Sequence, residues 1–219
     1  MGGAMPHLGA LVLAAGYSSR MGRFKPLLPF GQSTVIESAI DSLRAAGIGD
    51  ITVVAGYRAQ ELQPLLDRLS VRWVLNPAYE KGMYSSVVAG FWSLGREIEA
   101  CFLLPGDMPG VRPGTVRSIA EDYASNRAPI TYPVCAGVRG HPPLIADKVF
   151  PAILTADGAG GLRAVLAAYQ WAVREVEVPD PGIHLDLDTP EQYSQVLARQ
   201  PGIDPPSPPT ARTGRERIS

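Results

Sequence analysis

The 219-residue chain is within reach of one large α/β domain and is long enough to bury a core without disulfide or metal staples. Its 20 Lys and Arg against 21 Asp and Glu leave a net charge of −1, and neither sign gathers into a stripe, which argues against nucleic acid or an anionic membrane as the main partner. Cys101 and Cys135 stand outside any Cys-x-x-Cys spacing and are expected as small buried hydrophobes, and with neither a signal peptide in residues 1–7 nor a bilayer-spanning apolar run, a cytoplasmic, reducing setting is expected.

Apolar, β-rich runs recur at residues 9–14, 51–55, 71–75, 101–104, 130–134 and 171–178. Their near-continuous apolar character predicts strands covered on both faces. Between them Val35, Ile36, Ala39, Ile40 and Leu43 recur at helical spacing, with Gly47 where a helix would stop. Helices are also expected over 86–94, 115–123, 162–169 and 190–197, and a short, kinked or late-starting one over 61–69 because of Pro64. Strands alternating with helices predict a Rossmann-like α/β sandwich of three layers around a mostly parallel sheet. The expected organisation is a flexible N-terminus over 1–7, one domain over 8–198, and a disordered Pro-rich tail over 199–219, where five prolines fall among small polar and charged residues. In such open sheets ligands bind outside the carboxyl ends of the strands, so the loops that follow strands carry the chemistry.

The first of these loops crowds two glycines, two hydroxyls, two arginines and a lysine into residues 16–25. Glycine lets backbone N–H groups approach phosphate oxygens, while Arg and Lys spread positive charge over a polyphosphate. An ordinary flexible loop is the alternative reading of the same composition. Two phosphate motifs are excluded by spacing: there is no G-x-x-x-x-G-K-[ST], and no G-x-G-x-x-G running straight into a helix. The connection from Ala14 to the helix near Thr34 is far longer than the roughly 2–6 residues usual for a βα link. An overlong basic loop of this kind is more often functional than decorative.

Leu13, Ala14, Ala15, Gly16, Tyr17, Ser18, Ser19, Arg20, Met21 and Gly22, followed by Lys25-Pro26-Leu27-Leu28, resemble the nucleotide-binding signature of the MobA-like NTP transferases. Within that family the pattern is most similar to the molybdenum cofactor cytidylyltransferases. The resemblance implies the glycosyltransferase-A or nucleotide-diphospho-sugar transferase type of fold, a loop that wraps a triphosphate with Arg20 and Lys25 on the phosphates, and Mg2+ as cofactor with CTP as donor. It also implies a molybdopterin-type acceptor, with a molybdoenzyme or its maturation factor as candidate protein partner.

Asp107 follows the apolar run 101–104 directly, at the strand end that carries the first loop. A lone acid there suits either a turn or a magnesium ligand, since Mg2+ takes one or two protein carboxylates and fills its octahedron with phosphate and water. The resemblance favours the metal. Asp186 and Asp188 would share one side of an extended segment, although Thr189-Pro190 also makes a plausible helix start that Asp188 could cap. The segment is similar to the family's late D-x-D/N-T-P-E motif, which implies a second metal or substrate contact from Asp188 before Asp186. Arg20, Lys25 and Asp107 are therefore the expected catalytic residues.

Gly82, Met83, Ser85 and Ser86 precede or open a helix, where hydroxyls and free N–H groups could meet an anion or Ser85 could simply cap. They resemble the family's G-M-x-x-S loop, and Arg139 and His141 resemble its R-G-H-P element on the acceptor side. A lone His in a Pro-rich turn also reads as structural. Arg163, at a Gly-rich helix entrance, is the last candidate for holding acceptor charge.

Overall fold

The computed structural model describes residues 5–198; residues 1–4 of the N-terminus and the Pro-rich tail over 199–219 lie outside the described residues. Strand β1 (Leu8–Ala14) runs through two 3-10 turns and a small hairpin, β2 (Pro29–Phe30) with β3 (Ser33–Thr34), into α1 (Val35–Ala45). There follow β4 (Asp50–Ala55), α2 (Ala59–Arg68), β5 (Arg72–Leu75), α3 (Met83–Trp92), β6 (Ala100–Pro105) and α4 (Pro113–Asn126). The last third comprises β7 (Ile130–Cys135), β8 (Val138–Arg139), β9 (Leu144–Ala146), α5 (Phe150–Thr155), α6 (Gly161–Ala167), β10 (Val173–Glu177) and α7 (Pro190–Ala198).

The main sheet has the order β10-β7-β9-β6-β1-β4-β5, with β8 added to β7. It is parallel except for β9, which runs against both β6 and β7, and β8, which runs against β7. Side chains alternate across β1 as a period of two requires. Leu8, Ala10, Val12 and Ala14 join the core under α1, α2 and α4, whereas Leu11 joins the core under α3, α5 and α6. Three layers result. In register, Ala14 pairs with Ala55 and Leu13 with Pro105, so the loops after β1, β4 and β6 open at one end of the sheet.

Helix α1 shows why its sequence stops and starts where it does. Thr34 Oγ1 accepts from the Glu37 N–H while the Glu37 carboxylate accepts from the Thr34 N–H, a reciprocal capping box. Ile36, Ala39, Ile40 and Leu43 face the core. Helix α2 begins at Ala59, not late, and carries Pro64 inside it.

Three expectations need correction. The runs 71–75 and 171–178 are each expected to be covered on both faces, yet β5 and β10 are the two edge strands, exposing Arg72 and Leu75 on the one and Arg174, Glu175 and Glu177 on the other. Strand β9 and helix α5 carry too few residues to show a period, and neither was anticipated. Cys101 is buried as expected, and burial pushes its thiol pKa up, but Cys135 is only half-buried.

Candidate active site

The loops after β1, β5 and β6 enclose a cavity of about 490 Å3. From the first loop it takes Leu13 to Ser18, Lys25 and Pro26; from the segment before and into α3, Tyr79, Glu80, Gly82, Met83 and Ser86; from the exit of β6, Pro105, Gly106 and Asp107. Close approach of main chains shapes this end. The Gly106 N–H donates to Leu13 O at 2.8 Å, and a Cβ on Gly106 would lie 2.9 Å from that same oxygen. Only glycine lets β6 turn off so near β1.

Lys25 is the centre of charge. It is 8% exposed, and its Nζ donates to Asp188 Oδ1 at 2.6 Å and to Asp107 Oδ2 at 3.0 Å. Arg20 Nη2 meets the other oxygen of Asp188 at 2.7 Å from a side chain that is 70% exposed. Burial pulls the Lys25 pKa down, but the bonds and charges of Asp188 and Asp107 outweigh it and hold the ammonium above its ordinary value. The hydrogen bond from Lys25 pulls the Asp188 carboxyl below its ordinary value against a smaller effect of burial, with Arg20 adding to the pull. Lys25 and Asp188 are thus both charged at neutral pH.

The C-terminal segment brings Asp188 here. Leu187, Tyr193, Val196 and Leu197 pack with Met21, Leu28 and Phe30 of the first loop and its hairpin, and with Val35 at the start of α1, in a separate apolar cluster. The Leu187 N–H donates to Asp107 O at 3.1 Å, and the Tyr193 hydroxyl to Pro29 O. Thr189, not Asp188, caps α7: its Oγ1 accepts from the Gln192 N–H at 3.3 Å, and the Gln192 side chain accepts from both Asp188 N and Thr189 N. That reciprocal arrangement leaves the Asp188 carboxylate free for Lys25 and Arg20.

Other expected residues fall in varied places. Ser18 stands at φ +55° and Gly22 at φ +65°, and Ser18 Oγ accepts from the Lys25 N–H at 3.2 Å, which fixes the loop's tight turns. Ser19 and Gly22 face a second hollow beyond Tyr17, and Met21 is buried. Gly82, Met83 and Ser86 line the same cavity as the first loop. Ser85 lies inside α3 and its hydroxyl donates to Gly82 O and Ala78 O, so it does not begin the helix. Asn76, 2% exposed, donates from Nδ2 to both Ser85 Oγ and Ser86 Oγ at 2.8 and 3.0 Å.

Arg139 pairs with Glu175 and Gln170 and lies over the Tyr132 ring, and Arg163 is exposed on α6; neither lines the cavity. Asp186 is exposed and makes no ion pair among the described residues, because residues 185–188 do not form a strand that would align it with Asp188. His141 is half-buried, and desolvation lowers its pKa although Asp107 and Asp186 oppose the shift; its Nδ1 has no hydrogen-bond partner among the described residues. Tyr17, Tyr79 and Glu80 line the cavity, and Tyr17 and Tyr79 pack with Tyr57 in an aromatic cluster that sequence reasoning did not single out. The signal was their place just after predicted strands.

A three-layer, mostly parallel α/β sandwich, with a basic strand-exit loop beside carboxylates at one cavity, has the nucleotide-diphospho-sugar transferase fold and defines a nucleotidyltransferase. Residues 10–174 match the MobA-like NTP transferase domain, and the chain belongs to that family. It is 29% identical over 191 residues to the molybdenum cofactor cytidylyltransferase of Escherichia coli, covering 86% of this chain and 95% of that one. It is 30% identical over 207 residues to the nicotine blue oxidoreductase of Paenarthrobacter nicotinovorans, covering 88% and 98%. The crystal structure of Rv0371c from Mycobacterium tuberculosis superposes with a TM-score of 0.79 at 27% identity over 89% of this chain and 99% of that one. The manganese complex of that protein gives 0.74 at 25% identity, over 89% and 100%. Among the described residues no helix is long and apolar enough to cross a membrane.

Proposed function

We propose that this nucleotidyltransferase moves CMP from CTP onto a molybdopterin-type phosphate, giving the cytosine dinucleotide and pyrophosphate. The observation that carries the reading is the convergence of Lys25, Arg20, Asp107 and Asp188 beside the cavity that the first loop walls. The likeness to the E. coli cytidylyltransferase over nearly its whole length supports the choice of donor and acceptor.

Asp107 and Asp188 fit a divalent cation: one ammonium already contacts both, so their oxygens face one small volume. Mg2+ suits such a site because it needs few protein carboxylates once phosphates supply oxygens, and the manganese complex of Rv0371c supports a divalent ion at this fold. Bound there, the ion would neutralise charge on the nucleotide phosphates. Lys25 and Arg20 would set their donors against the same oxygens and stabilise the pyrophosphate as its charge develops. Ala15, Gly16 and Ser86, with the aromatic wall of Tyr17 and Tyr79, enclose the nucleoside. The acceptor phosphate is anionic at neutral pH, so in-line attack on the α-phosphorus needs orientation more than a general base.

A pyrophosphate-release assay pairing CTP, UTP, ATP and GTP with molybdopterin cofactor, sugar phosphates and polyol phosphates tests the reading. Release is expected with CTP and molybdopterin cofactor. Release only with a sugar or polyol phosphate reassigns the acceptor, and none with any pair leaves a carrier of the cofactor.

A further inference from the structure

Both oxygens of Asp188 and one of Asp107 already face a cation: Lys25 Nζ lies 2.6 Å from Asp188 Oδ1 and 3.0 Å from Asp107 Oδ2, and Arg20 Nη2 lies 2.7 Å from Asp188 Oδ2. We propose that Lys25 and Arg20 are resident counter-ions that keep a divalent cation from engaging Asp107 and Asp188 together until a polyphosphate draws them off. This rests on the reading above that the two carboxylates hold the metal.

The physical case is one of exclusion. Mg2+ binds carboxylate oxygen at about 2.0–2.1 Å, and an ammonium hydrogen-bonded to the same oxygens would stand against it with like charge in a partly dry site. The Lys25 side chain is 10% exposed, so water screens that repulsion poorly. Its ammonium nevertheless belongs to the cavity wall beside Asp107. A triphosphate in that cavity offers Lys25 new anionic partners without moving its main chain, and Arg20, 70% exposed, is free to swing to the same phosphates. Each phosphate contact that withdraws a cation from a carboxylate uncovers a ligand for the metal. By linkage, metal and polyphosphate then favour each other's binding to an equal degree.

Manganese titration of the full chain without any phosphate, followed by the electron paramagnetic resonance of free Mn2+, tests this directly. Lys25→Met should bind Mn2+ at least tenfold more tightly than wild type, and Arg20→Ala a few-fold more tightly. Lys25→Arg should stay near wild type, and Asp107→Asn added to Lys25→Met should remove the gain. Arg23→Ala controls for charge alone, since Arg23 sits in the same loop with no carboxylate partner among the described residues; its affinity should stay within twofold. Circular dichroism must show each variant folded, and if Lys25→Met is not, the exposed Arg20→Ala decides. Variants of Lys25 and Arg20 that bind Mn2+ no more tightly than wild type overturn the proposal and make these cations mere placers of the carboxylates. Tighter Mn2+ binding by Lys25→Met that the added Asp107→Asn leaves unchanged refutes the metal reading itself, because the gained affinity would then lie at other residues.

Discussion

Gly56, at the exit of β4, tests whether the cavity wall is as tightly built as it looks. A Cβ added there would lie 2.7 Å from the Ala15 Cβ, 2.8 Å from the Tyr79 Cβ and 3.0 Å from Ala15 O. None of these is the loose end of a flexible side chain, and Ala15 O is held by the Tyr57 N–H at 3.2 Å. Overpacking a well-filled site by one methyl costs about 1–3 kcal/mol, while replacing Gly by Ala returns about 0.4–1 kcal/mol by narrowing the unfolded ensemble. Gly56→Ala should therefore destabilise by about 1–2 kcal/mol, which for a domain of this size lowers Tm by about 2–8 °C. Because Ala15 and Tyr79 both line the cavity, KM for the nucleotide should rise as well. Thermal unfolding by circular dichroism measures the first effect and steady-state kinetics the second. Removing one clashing methyl with Ala15→Gly should restore part of the loss, so the double variant should be more stable than additivity allows. An unchanged Tm, or strictly additive losses, would refute the steric argument.

Asp107→Ala should cut kcat by at least about a hundredfold, typical of losing one preorganised electrostatic contact; turnover within a few-fold of wild type would place the metal elsewhere. CTP should be preferred over GTP by tens-fold or so, because the buried Ala15 methyl fills space that a single-ring base leaves, and such apolar fits discriminate by about 1–3 kcal/mol. Comparing kcat/KM for the four nucleotides in wild type and Ala15→Gly checks this; the variant should narrow the gap, and a wild-type preference for GTP sinks the cytidylyl assignment. At the capping box, burial raises the Glu37 pKa, but Thr34 and Arg68 outweigh it and hold the carboxyl below its ordinary value. A depressed folded pKa adds stability above the unfolded value near about 4.3, and that stability is lost as pH falls through the folded one. Glu37→Gln should therefore cost about 1 kcal/mol near pH 7 in urea unfolding, with the difference from wild type shrinking in acid.

How legible each feature was depended on whether its cause is local. Strands β1, β4 and β6 stood out because residues buried on both faces form unbroken apolar runs. Helix α1 stood out because Gly47 marks the end of a regular apolar stripe, while the Thr34–Glu37 capping box at its start went unread. Strand β10 misled for the opposite reason: Val173, Val176 and Val178 suggested full burial, while Arg174, Glu175 and Glu177 were already marking a sheet edge. Strand β9, only Leu144–Ala146, is antiparallel between two parallel neighbours, and no three-residue run can announce its own direction. The aligned Asp186 and Asp188 depended on a strand that does not form there.

The first loop was readable because its phosphate-binding groups lie within a dozen consecutive residues. The charge cluster was not, since Lys25 reaches Asp107 across 82 positions and Asp188 across 163. What closes those distances is two different apolar supports. Asp107 hangs from the end of β6, whose Phe102 and Leu104 belong to the main core. Asp188 hangs from the smaller cluster that Met21, Leu28 and Phe30 share with Leu187, Tyr193 and Val196. The loop therefore does two jobs with one sequence: Lys25 lines the cavity and Arg20 reaches Asp188, while its apolar residues hold the C-terminal segment that returns Asp188 to those charges. A change that loosens Met21 or Phe30 acts on the site through Asp188 while leaving the sheet that carries Asp107 in place.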